Sequence, residues 1–328
     1  MTANYDKYKN FKKGIKFIGP KNVFWQKKNR IIKYLVCLFI LFLNLINRKD
    51  KPLIFAFQAN IYAVLVAKIL KVKIVTRSNS APQGWSQNFF KNKIYKIIIK
   101  LADDVMVNSL DFKKIFKKKF SINPKCIYNP FDKSFIKKKL SSKNEKINFF
   151  KKGYINIISI GRLTDQKDHL TSLKAIKILK PDLKVKMIII GKGKNKFLLE
   201  KYININKLNH KVKLIGYKKN PYPYIKKSNI VLLSSKYEGL PNILLEAQFL
   251  KKYIISTNCP TGPREILLKG RAGDLVEIGD YKKIAQLINI YNKQKKMINK
   301  KIKIGYNNFD RFDYQLNCKK YLNFIKKN

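Results

Sequence analysis

Short apolar runs alternate along this chain with stretches whose apolar residues recur every three or four positions, the periods of strands and of amphipathic helices. In the first half the pattern predicts strands at 14–18, 53–57, 71–76, 104–107 and 126–128, with helices at 31–46, 61–70, 88–101 and 110–118 between them. Further runs at 157–160 and 230–233 each feed a turn and then a helical segment. Such alternation is the signature of a doubly wound parallel sheet, an α/β fold. The polar, lysine-rich stretch 137–152 is the expected linker between two units, 1–140 and 150–310, with a last helix in 311–328.

One turn carries more chemistry than the others. After the run 230–233 the chain reads Glu238-Gly-Leu-Pro-Asn-Ile-Leu-Leu-Glu246, one carboxylate ahead of a helix start and the second inside that helix. Pro241 suits the first helical position, where a missing N–H is no loss. The amides of Gly239 and Leu240 are then free to grip phosphate or hydroxyl oxygens, aided by the helix dipole. On a wheel, Ile243, Ala247 and Leu250 share one face and Leu245 and Phe249 another, with Asn242 and Glu246 in the gap, where a carboxylate needs partners. Two acids by themselves read as a helix cap and a tolerated polar residue.

Their company changes that reading. Run 157–160 leads into Gly161-Arg162-Leu163, and Lys167-Asp168 open a helix. There follow Met187-Ile-Ile-Ile-Gly191-Lys-Gly193, Val212-Lys-Leu-Ile-Gly216, Ser228-Asn-Ile-Val-Leu-Leu-Ser-Ser235, Ile254-Ile-Ser-Thr-Asn-Cys-Pro-Thr-Gly-Pro-Arg-Glu-Ile266 and Gly273-Asp-Leu-Val-Glu-Ile-Gly279. In order and spacing, from about Tyr154 to Asp280, this set resembles the Glu-x7-Glu segment and its surroundings in retaining GT-B glycosyltransferases, the "glycosyl transferases group 1", family 4-like.

The resemblance implies two Rossmann-like domains, with the last helix crossing back to the first. Relatives usually begin with a strand, a glycine-rich loop, a helix and a second strand ahead of the part that 14–18 matches, so the first domain is expected to lack that opening unit. It also implies a nucleotide diphosphate sugar as co-substrate, no cofactor and no metal. Glu246 would hold the ribose hydroxyls, Glu238 the donor sugar, and Asn242 would assist. Arg162 and Lys167 would neutralise the departing diphosphate, which gains charge as the anomeric bond breaks. Gly161, Gly191, Gly193, Gly239 and Leu240 would bring backbone close to the donor; Gly191 and Gly193 also fit a plain turn. The leaving phosphate would take the acceptor's proton in a front-face, retaining attack. The 259–266 segment resembles transferases of UDP-linked N-acetylhexosamines, which favours UDP and turns Glu265 toward the donor.

Phe57-Gln-Ala-Asn60 and Thr76-Arg-Ser-Asn79 follow strands, at the carboxyl ends where sites in open α/β sheets form. Asn60, Arg77 and Asn79 are therefore acceptor-side candidates, against a helix cap and a surface arginine as the plain alternative. Asn129-Pro130 is read as a structural turn.

Composition alters the picture in few places. Cys37, Cys126, Cys259 and Cys318 lack paired or metal-ligand spacing, which fits a reducing compartment. His169 and His210 are too few for a histidine-rich zinc site and read as surface or helix-start residues. Asp103-Asp104 read as a cap rather than a metal motif. Seventy-two Lys plus Arg against 19 Asp plus Glu give a net charge of +53. That field attracts an anionic membrane face or nucleic acid. It equally fits an even lysine background from an A/T-biased coding sequence, and no nucleic-acid motif accompanies it, so no specific nucleic-acid partner is expected.

The first thirty residues are polar and lysine-rich, so no secretory signal is expected. The apolar run 34–46 is shorter than the roughly 20 residues of a membrane span, and reads as a buried helix, with interfacial lipid contact as its alternative. The combined expectation is a cytoplasmic enzyme, peripheral at the inner face of a membrane, that moves a hexose or N-acetylhexosamine onto a lipid-linked or polysaccharide acceptor of the cell envelope, such as lipopolysaccharide. A nucleotide-sugar epimerase, a basic nucleic-acid-binding protein and a truncated inactive relative are the alternatives.

Overall fold

The computed structural model describes residues 24–25, 28–57, 60–79, 89–142 and 147–327. Its first sheet holds β1 (Ile54–Ala56), β2 (Ile74–Ser78), β3 (Asp104–Val107) and β4 (Lys125–Cys126) in sequence order, all parallel. Helices α1 (Arg30–Ile46), α2 (Asn60–Ile69), α3 (Phe89–Lys100) and α4 (Leu110–Phe120) precede or connect these strands. The strand expected at 14–18 lies outside the described residues.

Helix α4 shows how the sequence enforces its own fold. Ser109 caps it, accepting a hydrogen bond from the Phe112 amide at 3.1 Å, and Ser121 closes it in the left-handed region at φ 58°. Phe112, Phe116 and Phe120 recur at the helical repeat and are fully buried, with edge-to-face ring contacts at 5.0 Å. The lysines Lys117, Lys118 and Lys119 occupy the solvent side.

Helix α1 departs from the buried identity expected of it. Cys37 and Leu45 face inward, while Ile31, Leu35, Phe39, Leu43 and Ile46 are exposed. Among the described elements its main packing partner is α2, which covers that inner face.

The second sheet runs β10 (Asp274–Val276), β9 (Tyr253–Thr257), β8 (Ile230–Leu233), β5 (Ile155–Ile160), β6 (Val185–Ile190), β7 (Val212–Leu214), again all parallel. Its central strands are nearly continuous in Ile, Leu and Val because helices cover both faces. Those helices include α6 (His169–Lys177), α7 (Lys196–Ile205), α8 (Tyr222–Lys227), α9 (Asn242–Phe249), the short α10 (Pro263–Ile266), α11 (Tyr281–Asn289) and α12 (Lys295–Asn307). From β5 the chain steps outward through β6 and β7, then returns to β8 on the other side. The crevice between the carboxyl ends of β5 and β8 is therefore the switch point where ligands bind in such sheets.

The lysine-rich stretch between the units is more structured than a linker. Its start belongs to α5 (Lys133–Ser141), and Ile136, Ile147 and Phe150 are buried with Ile188, Val231 and Leu244 of the second unit. Alternating lysines hid those three apolar anchors. At the far end, α13 (Tyr314–Lys327) lies against the first sheet: the Tyr321 ring is 6.3 Å from Phe55 and 5.3 Å from the Arg77 guanidinium carbon.

Candidate active site

The loops after β5 and β8 are stitched together. Ser234, at the end of β8, donates to the carbonyls of Lys167 at 3.1 Å and Asp168 at 2.8 Å. The Gln166 amide nitrogen reaches the Tyr237 carbonyl at 2.9 Å, and the Lys236 amide donates to the Gln166 carbonyl at 2.8 Å. Asp168 sits at φ 43°, a conformation aspartate tolerates better than most residues, and caps α6 through Thr171.

The turn aims Lys167 at Glu238, Nζ to Oε1 at 2.5 Å, with side-chain exposures of 15% and 8%. Ser235 donates to the same Oε1 at 2.6 Å, and Thr261 donates to the Glu238 backbone carbonyl. Glu238 is thus no helix cap: its carboxylate is spent on a half-buried cation and a hydroxyl. Arg162 is exposed, and its guanidinium is linked to this pair through Gln166, whose Oε1 accepts from it at 2.9 Å and whose Nε2 donates to the Tyr237 carbonyl next to Glu238. The structure therefore brings Arg162, Lys167 and Glu238 together.

Gly191 and Gly193 carry this arrangement by close backbone approach, not merely by a turn, whereas a Cβ on Gly161 would meet only the Lys167 side chain, at 3.2 Å. A Cβ on Gly191 would lie 1.8 Å from the Gly161 carbonyl oxygen, and one on Gly193 2.2 Å from that of Leu163. Helix α9 begins at Asn242, one residue later than expected, with Pro241 at the cap position. The Gly239 and Leu240 amides donate to no described group. Glu246 is half-buried on α9, and its carboxylate has no hydrogen-bond partner among the described residues. Burial alone pushes its carboxyl up to about 7, and the nearby Tyr222 phenol is raised by its own burial first and by the Glu246 charge second.

Gly239 also meets the first domain: a Cβ there would lie 2.1 Å from the Asn79 carbonyl oxygen. Asn79 thus borders the cleft. Arg77 does not point into it. That residue is buried, with its guanidinium between the Phe57 and Tyr321 rings at 5.3 Å each and donating to Asn129 Oδ1 at 2.7 Å, so it braces the domain interface and is no surface arginine. Asn129 in turn donates to Asn242 Oδ1 at 2.8 Å, which joins the exposed Asn242 to the other domain. Asn60 opens α2, and its side chain lies outside the described residues.

Glu265 does not face the donor side. Its carboxylate accepts from the Leu110 and Asp111 amides at 3.0 and 3.1 Å and from the Tyr128 hydroxyl at 2.6 Å, capping α4 across the domain boundary. Arg311 holds the Glu265 and Ile266 carbonyls from behind. The N-terminus of α4 attracts a carboxylate more strongly than a sugar hydroxyl would.

Sequence reasoning also missed His169. It opens α6 as expected but is buried, with Nδ1 3.1 Å from Ser159 Oγ beside the backbone of Gly161 and Arg162. Burial, with help from Lys167, pushes its pKa down to about 4. The unfolded chain therefore binds this proton more readily, and the fold loses stability as pH falls from about 6.5 to about 4, by on the order of 3 kcal/mol. Denaturant titrations across that range should show the slope in the parent and its loss in His169→Gln. Small buried polar residues closing a strand, as in Ser234 and Ser235, were the available signal for the stitching.

An opening of about 810 Å³ between α7 and β7, lined by Phe197, Ile203 and Lys213 among others, shares no residue with this cleft.

Two parallel-sheet domains facing each other across the switch point of the second are the GT-B fold of glycosyltransferases. HepE of Anabaena, solved in complex with UDP, superposes with a TM-score of 0.73 over 92% of this chain and 85% of its own, at 17% identity. The chain belongs to the glycosyl transferases group 1 family, whose model matches residues 141–308. It is 34% identical over 218 residues to an uncharacterized glycosyltransferase of Methanocaldococcus jannaschii, covering 62% of this chain and 53% of that protein. It is also 29% identical over 287 residues to the N-acetylgalactosamine-N,N'-diacetylbacillosaminyl-diphospho-undecaprenol 4-alpha-N-acetylgalactosaminyltransferase of Campylobacter jejuni, covering 83% of this chain and 76% of the relative. The chain thus spans about half of the first of these relatives and three quarters of the second.

Proposed function

We propose that this protein transfers a hexose or N-acetylhexosamine from a nucleotide diphosphate sugar, UDP being favoured, to a lipid-linked or surface glycan, with retention at the anomeric carbon. The convergence of Arg162, Lys167 and Glu238 at the switch point carries this reading. Charge grows on the diphosphate as the glycosidic bond breaks, and a forked guanidinium, an ammonium and the free Gly239 and Leu240 amides are where that charge is best met. Glu238 lies one ion pair away, placed to accept from donor sugar hydroxyls. The leaving phosphate is the base for the acceptor hydroxyl, so this route asks for no cofactor beyond the co-substrate.

The names of the relatives support the chemistry: HepE holds UDP, and the Campylobacter enzyme acts on a diphospho-undecaprenol-linked sugar. A lipid-linked acceptor would bring the enzyme to the cytoplasmic face of a membrane as a peripheral protein. Incubation with UDP-N-acetylhexosamines and a polyprenyl diphosphate-linked sugar should yield an elongated product of retained anomeric configuration. Isomerised donor without acceptor would point instead to an epimerase. Steeply salt-dependent nucleic-acid binding without transfer would point to a basic binding protein.

Glu246 supplies a second test. Ribose hydroxyls donate to its ionised form, so donor binding lowers a pKa that burial holds at about 7 in the free protein. Binding should therefore release a proton near neutrality and tighten as pH rises through about 7. Calorimetry in buffers of different ionisation enthalpy should detect that proton, and Glu246→Gln should remove it. The same shift means that Glu246 favours the folded state least above pH 7, once the carboxylate is charged.

A further inference from the structure

We infer that Glu265 is a positioning residue for sugar transfer: the segment from Thr261 to Glu265 is a strut through which the seating of the first domain fixes Glu238. The inference rests on the transferase reading for its purpose and adds a residue to it. One end of the strut is built on the backbone of the donor-site carboxylate. Thr261, fully buried, donates to the Glu238 carbonyl. Gly262 follows at φ +89°, where a Cβ would lie 2.7 Å from Pro241 Cδ and closer still to the Gly239 carbonyl oxygen. This turn therefore lies directly against the loop that carries Glu238, with no room for a side chain between them.

The other end is anchored in the first domain. Glu265 Oε1 accepts from the Leu110 amide at 3.0 Å and from the Tyr128 hydroxyl at 2.6 Å, and Oε2 accepts from the Asp111 amide at 3.1 Å. Bonds to an ionised acceptor are roughly twice as strong as neutral ones, so this is a firm attachment. Burial first, and the bond to Glu265 second, push the Tyr128 phenol up, so it stays a donor. Between the two ends, α10 is braced. Arg311 donates to the Glu265 and Ile266 carbonyls at 3.0 and 2.8 Å, and Pro263 and Ile266 are buried. A packed, hydrogen-bonded element of this kind carries a displacement onward instead of absorbing it. A shift of α4 against the second domain therefore pulls on the Glu238 backbone, and through the Glu238 carboxylate on Lys167.

Hydrogen exchange and kinetics on the full chain test the strut from both ends. In Glu265→Gln, which keeps the shape and loses the charge, amides in 109–113 and in 234–245 should both exchange faster than in the parent, although the Glu265 carboxylate bonds only to the first group. The kcat of transfer should fall about 10- to 100-fold, the scale of a reacting geometry displaced by about 1 Å. UDP affinity should change by less than about threefold, because Arg162 stands on the loop after β5 and outside the strut. Thr261→Val cuts the strut at its other end and should give the same split between kcat and UDP affinity. The double variant should be no worse in kcat than the worse single one, since a strut cut twice transmits no less than one cut once. Should Glu265→Gln fail to fold, Tyr128→Phe removes one of the three bonds and gives the same readings at smaller amplitude. Faster exchange confined to 109–113, UDP affinity falling as far as kcat, or additive losses in the double variant would overturn the inference. A parent that transfers no sugar, while Glu265→Gln still loosens 234–245, would leave the strut standing and remove the transferase reading instead.

Discussion

Replacing Glu238 with alanine should lower kcat by a factor on the order of 10²–10³, the scale seen when one preorganised polar group is removed from a charged transition state. Two consequences arise together. On the proposed reading the donor sugar loses a carboxylate partner, and Lys167 loses the group that holds its ammonium 2.5 Å from Oε1 in a mostly buried setting. Removing one member of a buried pair strands the other charge, which costs about 3–5 kcal/mol at full burial and less where Lys167 keeps its 15% exposure. Steady-state kinetics should show the loss in kcat, and denaturant titration should show the loss in stability. Lys167→Met in the Glu238→Leu background should then be less damaging to stability than the sum of the single changes, because the second substitution removes the stranded ion. Simple addition would mean that the pair does not act as a unit.

Gly191→Ala should be the most damaging conservative change for the fold of the donor site. Its Cβ would sit 1.8 Å from the Gly161 carbonyl oxygen, and both sides of that clash are backbone, so no rotamer can relieve it. Overpacking costs about 1–3 kcal/mol and occasionally more, and this site belongs at the upper end. Relief requires Gly161 to move, and Arg162 moves with it, so donor affinity should fall together with stability. Gly216→Ala is the control. Gly216 has φ +71° and nothing within 4 Å of an added Cβ, so only backbone strain of about 1 kcal/mol is expected there, with no effect carried to Arg162. Equal costs at the two glycines would show that close approach is not what Gly191 provides.

The parts that were readable beforehand share a physical cause. The buried parallel strands of the second domain are runs of Ile, Val and Leu that can hardly be anything else, and run 230–233 matches β8 residue for residue. The pair of loops bearing Arg162 and Glu238 came from the resemblance to group 1 glycosyltransferases, carried by motifs at strand ends; from the residues alone the two acids read as a cap and a tolerated polar group. What stayed hidden were interactions between domains, which have no period in the sequence. Glu265 caps a helix 155 positions away, and Arg77 finds Asn129 52 positions on; neither spacing announces a contact. Helix α1 misled for another reason. Its run 34–46 has the composition of a core helix, and only packing reveals that one side of it is uncovered. The burial of His169 likewise depends on β5 and the Gly161 turn closing over it.

The central claim is that the crevice between the ends of β5 and β8 holds a nucleotide diphosphate sugar. Calorimetric titration of UDP-N-acetylhexosamine into the parent, Arg162→Ala and Glu246→Ala proteins tests it most directly. Saturable binding by the parent, weakened at least about tenfold in each variant with the fold intact, is the predicted result. A parent that binds no nucleotide sugar, or variants that bind as tightly as the parent, would contradict it.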